Sequence, residues 1–412
     1  MTDPLFLRKN GTSALIVALY FGVIAAFLSL GVAASWFPAI ESNSLIHFDA
    51  LHYQQIALHG YKNESSAFFP LFPTLWRLTG LGAIGISILN GSFFAFATIM
   101  LIKEFNIEIK ALLIFLFLPS LFFLFVPYSE STFFVGGTVI LIALRRRWTF
   151  AICLGILWCT LARPAFTALL PAMILAKFLD SCSLRRKLGD VAMYIASSFL
   201  AMLLVMAYQY SETGDLWGFY TAQSGYGNTL KLPSLPFTSW GGGSTVKLDA
   251  VALMIGIVSS LVLVRISLRA LRTRSTSAQP ELIVSLGYIA TVSAIALFLR
   301  GGELYSLNRF VMASPFILIV IAAYIDKPRA IEVKRLFLIG TAILTYFMLF
   351  GAYVHIQTFV SFILLTVYLI ALVNVVSKPT RSIGWAFWTW LVIACCIQLY
   401  YLTRYLENKW VA

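Results

Sequence analysis

The chain has 412 residues, of which 60% are hydrophobic and only 11% are charged. Counted with Gly in place of Tyr, the chain is roughly 62% apolar against about 45–50% for soluble domains, so this composition excludes a soluble enzyme, a disordered chain and a disulfide-based scaffold. The net charge of +13 does not indicate nucleic-acid binding, because Lys and Arg lie mostly in short gaps between apolar runs, where positive charge sets topology. The composition therefore predicts a polytopic membrane protein.

Thirteen apolar runs are predicted to form helices of one all-α transmembrane domain over 1–412. They cover about 14–35, 81–102, 111–126, 129–144, 148–162, 164–180, 190–210, 249–268, 281–299, 310–326, 336–354, 357–376 and 384–402. With the N-terminus inside, 21 of the 30 Lys and Arg fall inside and 9 fall outside. This bias favours that orientation.

Two long polar segments, 36–80 and 211–248, both fall outside in this topology. We expect any chemistry to lie on this outer face, built from the two loops and nearby helix ends. The aromatic and polar segment 210–227 in the second loop suits stacking on sugar rings, but it equally suits an interfacial aromatic belt.

The first outer loop contains Asp49 at the start of a short amphipathic helix that Gly60 is expected to end. Asp49 suits a general base at the membrane surface. The alternative is an N-cap of the 50–59 helix. His47, Asp49 and His52 also have a spacing that could bind a divalent ion, although His-x-Asp-x-x-His alone is weak evidence for one. No cysteine spacing indicates a metal site.

Further polar residues fall at predicted outer helix ends. Glu130 follows Pro127 and Tyr128, and it suits either the first turn of a helix, where the dipole favours a carboxylate, or a contact to substrate. Arg163 precedes Pro164, which indicates either an outer turn or a kinked helix. The outer arginines Arg163, Arg300 and Arg309 could grip a phosphate, or they could pair with Asp49, Glu130, Glu303 or lipid headgroups.

Several of these motifs resemble, in the same order, those of the PIG-V family of GPI mannosyltransferase II-like proteins and their prokaryotic relatives. They are Asp49 after the first span, Ile56-Ala57-x-x-Gly60-Tyr61, Phe68-Phe69-Pro70-Leu71-Phe72-Pro73, Pro127-Tyr128-Ser129-Glu130-Ser131, Arg145-Arg146-Arg147-Trp148, Leu161-Ala162-Arg163-Pro164 and Asn308-Arg309-Phe310. The resemblance covers roughly 10–325. One departure is that Phe48 stands where the family usually has Trp.

The resemblance implies a GT-C-type bundle with short amphipathic helices in the first outer loop. It implies an inverting transferase that moves a sugar, expected to be mannose, from a polyprenyl-phosphate donor to a lipid- or glycan-linked acceptor. Asp49 is the expected base, and Arg163, Arg300 and Arg309 are expected to bind the donor phosphate. The expected substrate contacts are His47, Phe48, His52, Tyr128, Glu130 and Asn308.

We expect no metal, no other cofactor and no nucleic-acid partner. The expected location is the cell inner membrane, with the site on the periplasmic side and membrane lipids around the helices. The alternative function is a lipid-linked sugar transporter or flippase, which would more often show an inverted repeat and charges along the middle of spans. A structural membrane subunit would explain neither the first loop nor the arginines.

Overall fold

The computed structural model describes residues 4–37, 39–164, 166–239, 245–273, 278–325 and 384–411. Over these ranges the chain is helical, with one isolated β-bridge between Thr238 and Glu303. The predicted helices 336–354 and 357–376 lie outside the described residues. The prediction of an α-helical membrane protein is confirmed over the described ranges.

The described α-helices are numbered here in chain order. They are α1 (Pro4–Ala33), α2 (Asp49–His59), α3 (Leu71–Thr79), α4 (Ala83–Phe105), α5 (Ile109–Leu116), α6 (Glu130–Arg146), α7 (Thr149–Ala162), α8 (Phe166–Leu179), α9 (Leu184–Thr213), α10 (Gly218–Gly225), α11 (Thr245–Thr273), α12 (Pro280–Leu299), α13 (Leu307–Met312), α14 (Pro315–Ile325) and α15 (Trp385–Leu406). The described ranges also contain three 3-10 turns, at Ser42–Leu45, Asn63–Ala67 and Leu121–Leu124.

Five of the described helices are long and apolar enough to cross a membrane. They are α1, α4, α9, α11 and α12, with the apolar part of α1 beginning at Gly11 and that of α11 at Leu248. Helices α7, α8 and α14 are apolar but shorter. A membrane-embedded bundle follows from these lengths and compositions.

Two of the predicted runs are not single helices. The run 111–126 divides into α5, which ends at Leu116, and a separate 3-10 turn at Leu121–Leu124. Pro119 lies between them and removes a backbone donor, and it disfavours a helical conformation in the preceding residue. The run 310–326 likewise divides into α13 and α14, and α14 begins at Pro315, where proline suits a helix start.

Helices α6 and α7 pack closely because glycines face the partner helix. A Cβ atom on Gly136 would lie 2.7 Å from Cys159 Sγ, and one on Gly155 would lie 2.5 Å from Ile140 Cγ1. Small residues let helix backbones approach in a membrane. The pairing brings the first residue of α6 beside the turn that follows α7.

The segments 36–80 and 211–239 meet at one end of the bundle, which is called the loop end below. The rings of Phe69 and Phe219 lie 4.9 Å apart, and Gln209 Nε2 donates to the Ser66 carbonyl at 2.8 Å. The second segment also runs along the turn after α12, where the Leu304 amide donates to the Thr238 carbonyl at 2.8 Å. Helix α6 runs from this end to Arg145–Arg147 at the opposite end, called the basic end below.

Candidate functional site at the loop end

Asp49 is the first residue of α2, and its carboxylate is paired with Arg309 of α13. The residue in the N-cap position is Phe48, and no side chain caps the helix. The N-cap interpretation of Asp49 is therefore wrong. Its Oδ2 lies 2.7 Å from Arg309 Nη2, and the side chain is 21% exposed. Asp49 is thus ion-paired and still reachable by solvent.

The turn that presents Asp49 has a strained backbone. The Ala50 amide donates to the His47 carbonyl at 3.0 Å, and Phe48 inside this turn has φ 52° and ψ −121°. This is the glycine-type conformation of a type II′ turn, and it costs a residue with a Cβ about 1–3 kcal/mol. The Phe48 ring packs against Trp410 with centroids 4.9 Å apart. Such strain persists where the surroundings hold it, and it is typical of functional turns.

Glu130 is the partner that two arginines share. Its Oε1 lies 2.9 Å from Arg309 Nε and 3.2 Å from Arg163 Nη1. The Glu130 side chain is only 1% exposed. These contacts are close ion pairs rather than aligned hydrogen bonds, and Oε2 has no hydrogen-bond partner among the described residues. Glu130 begins α6, which agrees with the helix-start alternative, and the helix dipole adds a favourable field there.

Asp49, Glu130, Arg163 and Arg309 form what is called the charge cluster below. Arg163 belongs to the turn between α7 and α8, so the kinked-helix alternative for Arg163-Pro164 is wrong. Of the alternatives for the arginines, pairing with carboxylates holds for Arg163 and Arg309 in this structure. The formal charges of the cluster sum to zero, which makes the burial of Glu130 and Arg309 tolerable.

Phe310 brings all three predicted arginines together. The guanidinium carbons of Arg163, Arg309 and Arg300 lie 4.3, 5.2 and 5.9 Å from its ring centroid. Such distances are typical of cation–π contacts. Arg300 has partners outside the cluster, since its Nη1 donates to the Tyr305 carbonyl at 2.7 Å and its Nε donates to Asn228 Oδ1 at 3.1 Å.

Tyr128 lies against Arg309 of the cluster, and it also holds the backbone of His47. The Tyr128 ring centroid is 5.0 Å from the Arg309 guanidinium carbon, and its hydroxyl donates to the His47 carbonyl at 3.3 Å. Burial lowers the pKa of His47, so its ring is neutral at physiological pH. The Tyr128 ring therefore lines the site, and its hydroxyl holds the turn that contains Asp49.

His52 is not brought to the charge cluster by any observed contact. Its ring stacks on Phe68, with centroids 4.7 Å apart and planes 20° apart. Within the described ranges, no three His, Cys, Asp or Glu side chains come close enough to hold a metal ion together. His47, Asp49 and His52 do not form the ion site that their spacing left open.

Asn308 is a support for the site rather than part of its surface. It is fully buried, and its backbone amide and Nδ2 donate to Asp249 Oδ1 at 2.9 and 2.7 Å. The Ser120 hydroxyl donates to Asn308 Oδ1 at 2.6 Å, and the Ser239 hydroxyl donates to Asp249 Oδ2 at 2.7 Å. These bonds fix the start of α13, and with it Arg309. Because Asn308 is fully buried, it does not lie on the accessible surface of the site, and a substrate contact at Asn308 stays a prediction.

Sequence reasoning did not find several residues that hold the site. Asp249 was visible as a lone carboxylate at the start of an apolar run, which is a signal for a buried partner. Tyr405 gives no local signal, because its hydroxyl donates to the Leu45 carbonyl across nearly the whole chain, at 2.8 Å. Its ring also lies 5.6 Å from that of His47.

Arg77 and Glu212 hold the far end of α2. Arg77 Nη2 and Nε donate to the carbonyls of Ile56 and Ala57 at 2.7 and 2.9 Å, and its Nη1 lies 3.2 Å from Glu212 Oε1. Helix α2 ends at Gly60, as predicted, where φ is 80° and an added Cβ would lie 2.8 Å from Glu212. Both ends of α2 are therefore fixed to the bundle.

Searches against protein-family models, curated proteins and solved structures each found no match to this chain. The chemistry of the site must then be judged from its geometry. The site offers one accessible carboxylate, one buried carboxylate and two arginines between them. Such a set can accept a proton and can stabilise an anion.

Proposed function

We propose that this protein is a membrane glycosyltransferase of the PIG-V type. It takes a sugar, expected to be mannose, from a polyprenyl-phosphate donor and transfers it with inversion to a lipid- or glycan-linked hydroxyl. One observation carries the proposal: an accessible carboxylate, Asp49, lies directly beside the guanidinium group of Arg309. The two groups match the base and the phosphate clamp that this reaction needs.

The proposed reaction is a single displacement. Asp49 takes the proton of the acceptor hydroxyl as that oxygen bonds to the anomeric carbon. The bond from this carbon to the phosphate oxygen breaks, and its electron pair leaves with the polyprenyl phosphate. The leaving phosphate changes from one negative charge to two, and Arg309 with Arg163 stabilises the added charge. Asp49 then returns its proton to water.

The two carboxylates support this division of roles through their exposure. Asp49 is 21% exposed and can meet an acceptor. Glu130 is 1% exposed and already touches both arginines. A general base must reach the proton that it removes, so Asp49 is the proposed base and Glu130 the residue that positions the arginines.

The decisive test uses purified protein in liposomes with synthetic polyprenyl-phosphate mannose or glucose. We expect sugar release or transfer by the wild type. The Asp49→Asn variant should work at least about a hundredfold more slowly, because a general base contributes about 10²- to 10⁴-fold. Thermal unfolding checks that the variant is folded, and Glu303→Gln is a matched control for charge removal at an exposed position of the same end. Near-normal transfer by Asp49→Asn would reject Asp49 as the base.

The alternative, a lipid-linked sugar transporter, is separated by the same liposomes. A transporter would move the intact labelled donor across the bilayer without breaking its glycosidic bond. We expect no donor movement that depends on the protein. Donor movement without transfer would favour the transporter.

We further propose that the loop end faces the periplasm of a cell inner membrane. The charge bias of the sequence supports this orientation. An impermeant thiol reagent applied from outside should label cysteines placed at Asn63 and Ser234, and it should not label cysteines placed at Arg146 and Arg272. The reverse pattern would invert the topology.

A further inference from the structure

Arg309 holds two carboxylates that differ sharply in their access to water. Its Nε lies 2.9 Å from Glu130 and its Nη2 lies 2.7 Å from Asp49. Glu130 is 1% exposed, whereas Asp49 is 21% exposed. Removing Glu130 from its arginines would leave a buried, unpaired charge, which is costly. Asp49 can leave Arg309 and be hydrated instead.

The position of each carboxylate supports the same difference. Glu130 is packed at the start of α6, where it touches Arg163 as well as Arg309. Asp49 has one ion-pair partner among the described residues, and it lies in the strained turn directly after Phe48. A movement of the Asp49 side chain alone can therefore free Nη2 of Arg309 to bind another anion.

The charge balance allows an anion to take the place of Asp49. The cluster is neutral with Asp49 on Arg309. A phosphodiester carries one negative charge, as the Asp49 carboxylate does, so its arrival beside Arg309 restores neutrality when Asp49 turns to water. Guanidinium groups bind carboxylates and phosphates with the same donors.

We propose that the carboxylate of Asp49 occupies the phosphate-binding position of Arg309 until the donor arrives. The donor phosphate displaces Asp49, and the displacement frees the carboxylate to act on the acceptor. This inference rests on the proposed function, and it adds two features to it. Asp49 and the donor compete for one arginine, and the donor binds before the acceptor hydroxyl can be deprotonated.

The competition has an unusual consequence for binding. Removing the proposed catalytic base should strengthen donor binding, because the competing anion is gone. The probe is farnesyl phosphate in detergent or nanodiscs, with farnesol as the control for the lipid chain alone. We expect Asp49→Asn and Asp49→Ala to bind farnesyl phosphate at least fivefold more tightly than wild type, with farnesol binding unchanged.

A double-mutant cycle separates displacement from general repulsion between two negative charges. In an Arg309→Gln background, the Asp49→Asn change should no longer strengthen binding, because Asp49 has no guanidinium to vacate. Glu303→Gln removes an exposed carboxylate from the same end and should change binding less than twofold. Thermal unfolding of each variant checks the fold, and Arg309→Met, which also removes the cation, replaces Arg309→Gln if that variant does not fold.

Two results would overturn the displacement. One is unchanged or weaker binding of farnesyl phosphate by both Asp49 variants. The other is equal strengthening by Asp49→Asn with and without Arg309, which would indicate repulsion alone. These binding results do not depend on sugar transfer. A cycle that behaves as expected in a protein that transfers no sugar would preserve the displaceable anion site and reject the transferase.

Discussion

The loop end and the basic end of the bundle both carry ion pairs, but they assemble them differently. At the loop end, the charge cluster takes its members from α2, α6, α13 and the turn after α7, and two arginines share one oxygen of Glu130. At the basic end, Arg146 pairs with Glu104 at 2.5 Å near the surface, and Lys177 pairs with Asp180 at 3.2 Å, three residues away in sequence, and with Asp190 of α9 at 2.7 Å. A buried cluster shared among distant segments costs stability unless it is complete, which makes it the stronger candidate for function.

The largest expected difference between the two ends is in stability, and it is tested by comparing Glu130→Gln with Glu104→Gln. Losing the Glu130 charge leaves Arg163 and the buried Nε of Arg309 without their shared carboxylate, which should cost about 3–5 kcal/mol of the free energy of unfolding. Glu104 pairs with a largely exposed arginine, so its loss should barely change stability. Thermal and denaturant unfolding in detergent measures both. Equal stability of the two variants would mean that Glu130 contributes no more to the free energy of unfolding than a surface ion pair does.

A second test compares Arg309→Lys with Arg146→Lys. A lysine cannot span two anions as a planar guanidinium does, and a charge-assisted hydrogen bond contributes about 1.5–3 kcal/mol. Arg309→Lys should therefore weaken donor use by about tenfold or more, measured as kcat/KM for the polyprenyl-phosphate sugar. Arg146→Lys at the basic end should leave it unchanged. A normal kcat/KM in Arg309→Lys would remove this arginine from the proposed donor site.

The smallest expected effect concerns His47, which lies beside the cluster. Burial lowers its pKa in the folded protein, so the unfolded chain takes up the proton first, near the ordinary value of about 6.5. This contribution to stability is present above that pH and is lost as the pH falls below it.

We expect the unfolding midpoint of the wild type to fall between about pH 7 and pH 5, with a smaller fall in His47→Gln. His59→Gln is the control, because His59 is exposed at the end of α2. Identical pH profiles for the wild type and His47→Gln would show that His47 does not contribute.

The local sequence determined most of the described helices and many of the residues at which they begin and end. Long apolar runs become helices because a backbone in lipid must satisfy its own hydrogen bonds, and α1, α4, α9, α11 and α12 follow the predicted runs. Gly60 ended α2 as expected, since glycine adopts the φ of 80° found there at little cost. The predictions failed at Pro119 and Pro315, where proline divided apolar runs that hydropathy alone treats as continuous.

Only the tertiary structure decided which partners the polar residues have and how deeply they are buried. Asp49, Glu130, Arg163 and Arg309 were each visible as candidates, but neither their common cluster nor the burial of Glu130 follows from local pattern. The close packing of α6 on α7 places Glu130 beside Arg163, and the buried bonds between Asp249 and Asn308 fix Arg309. The partner of each charged residue depends on which helices pack together. That packing depends on contacts between residues that are far apart in sequence. The same four residues could have been an N-cap, a helix-start carboxylate and two headgroup anchors in a different bundle.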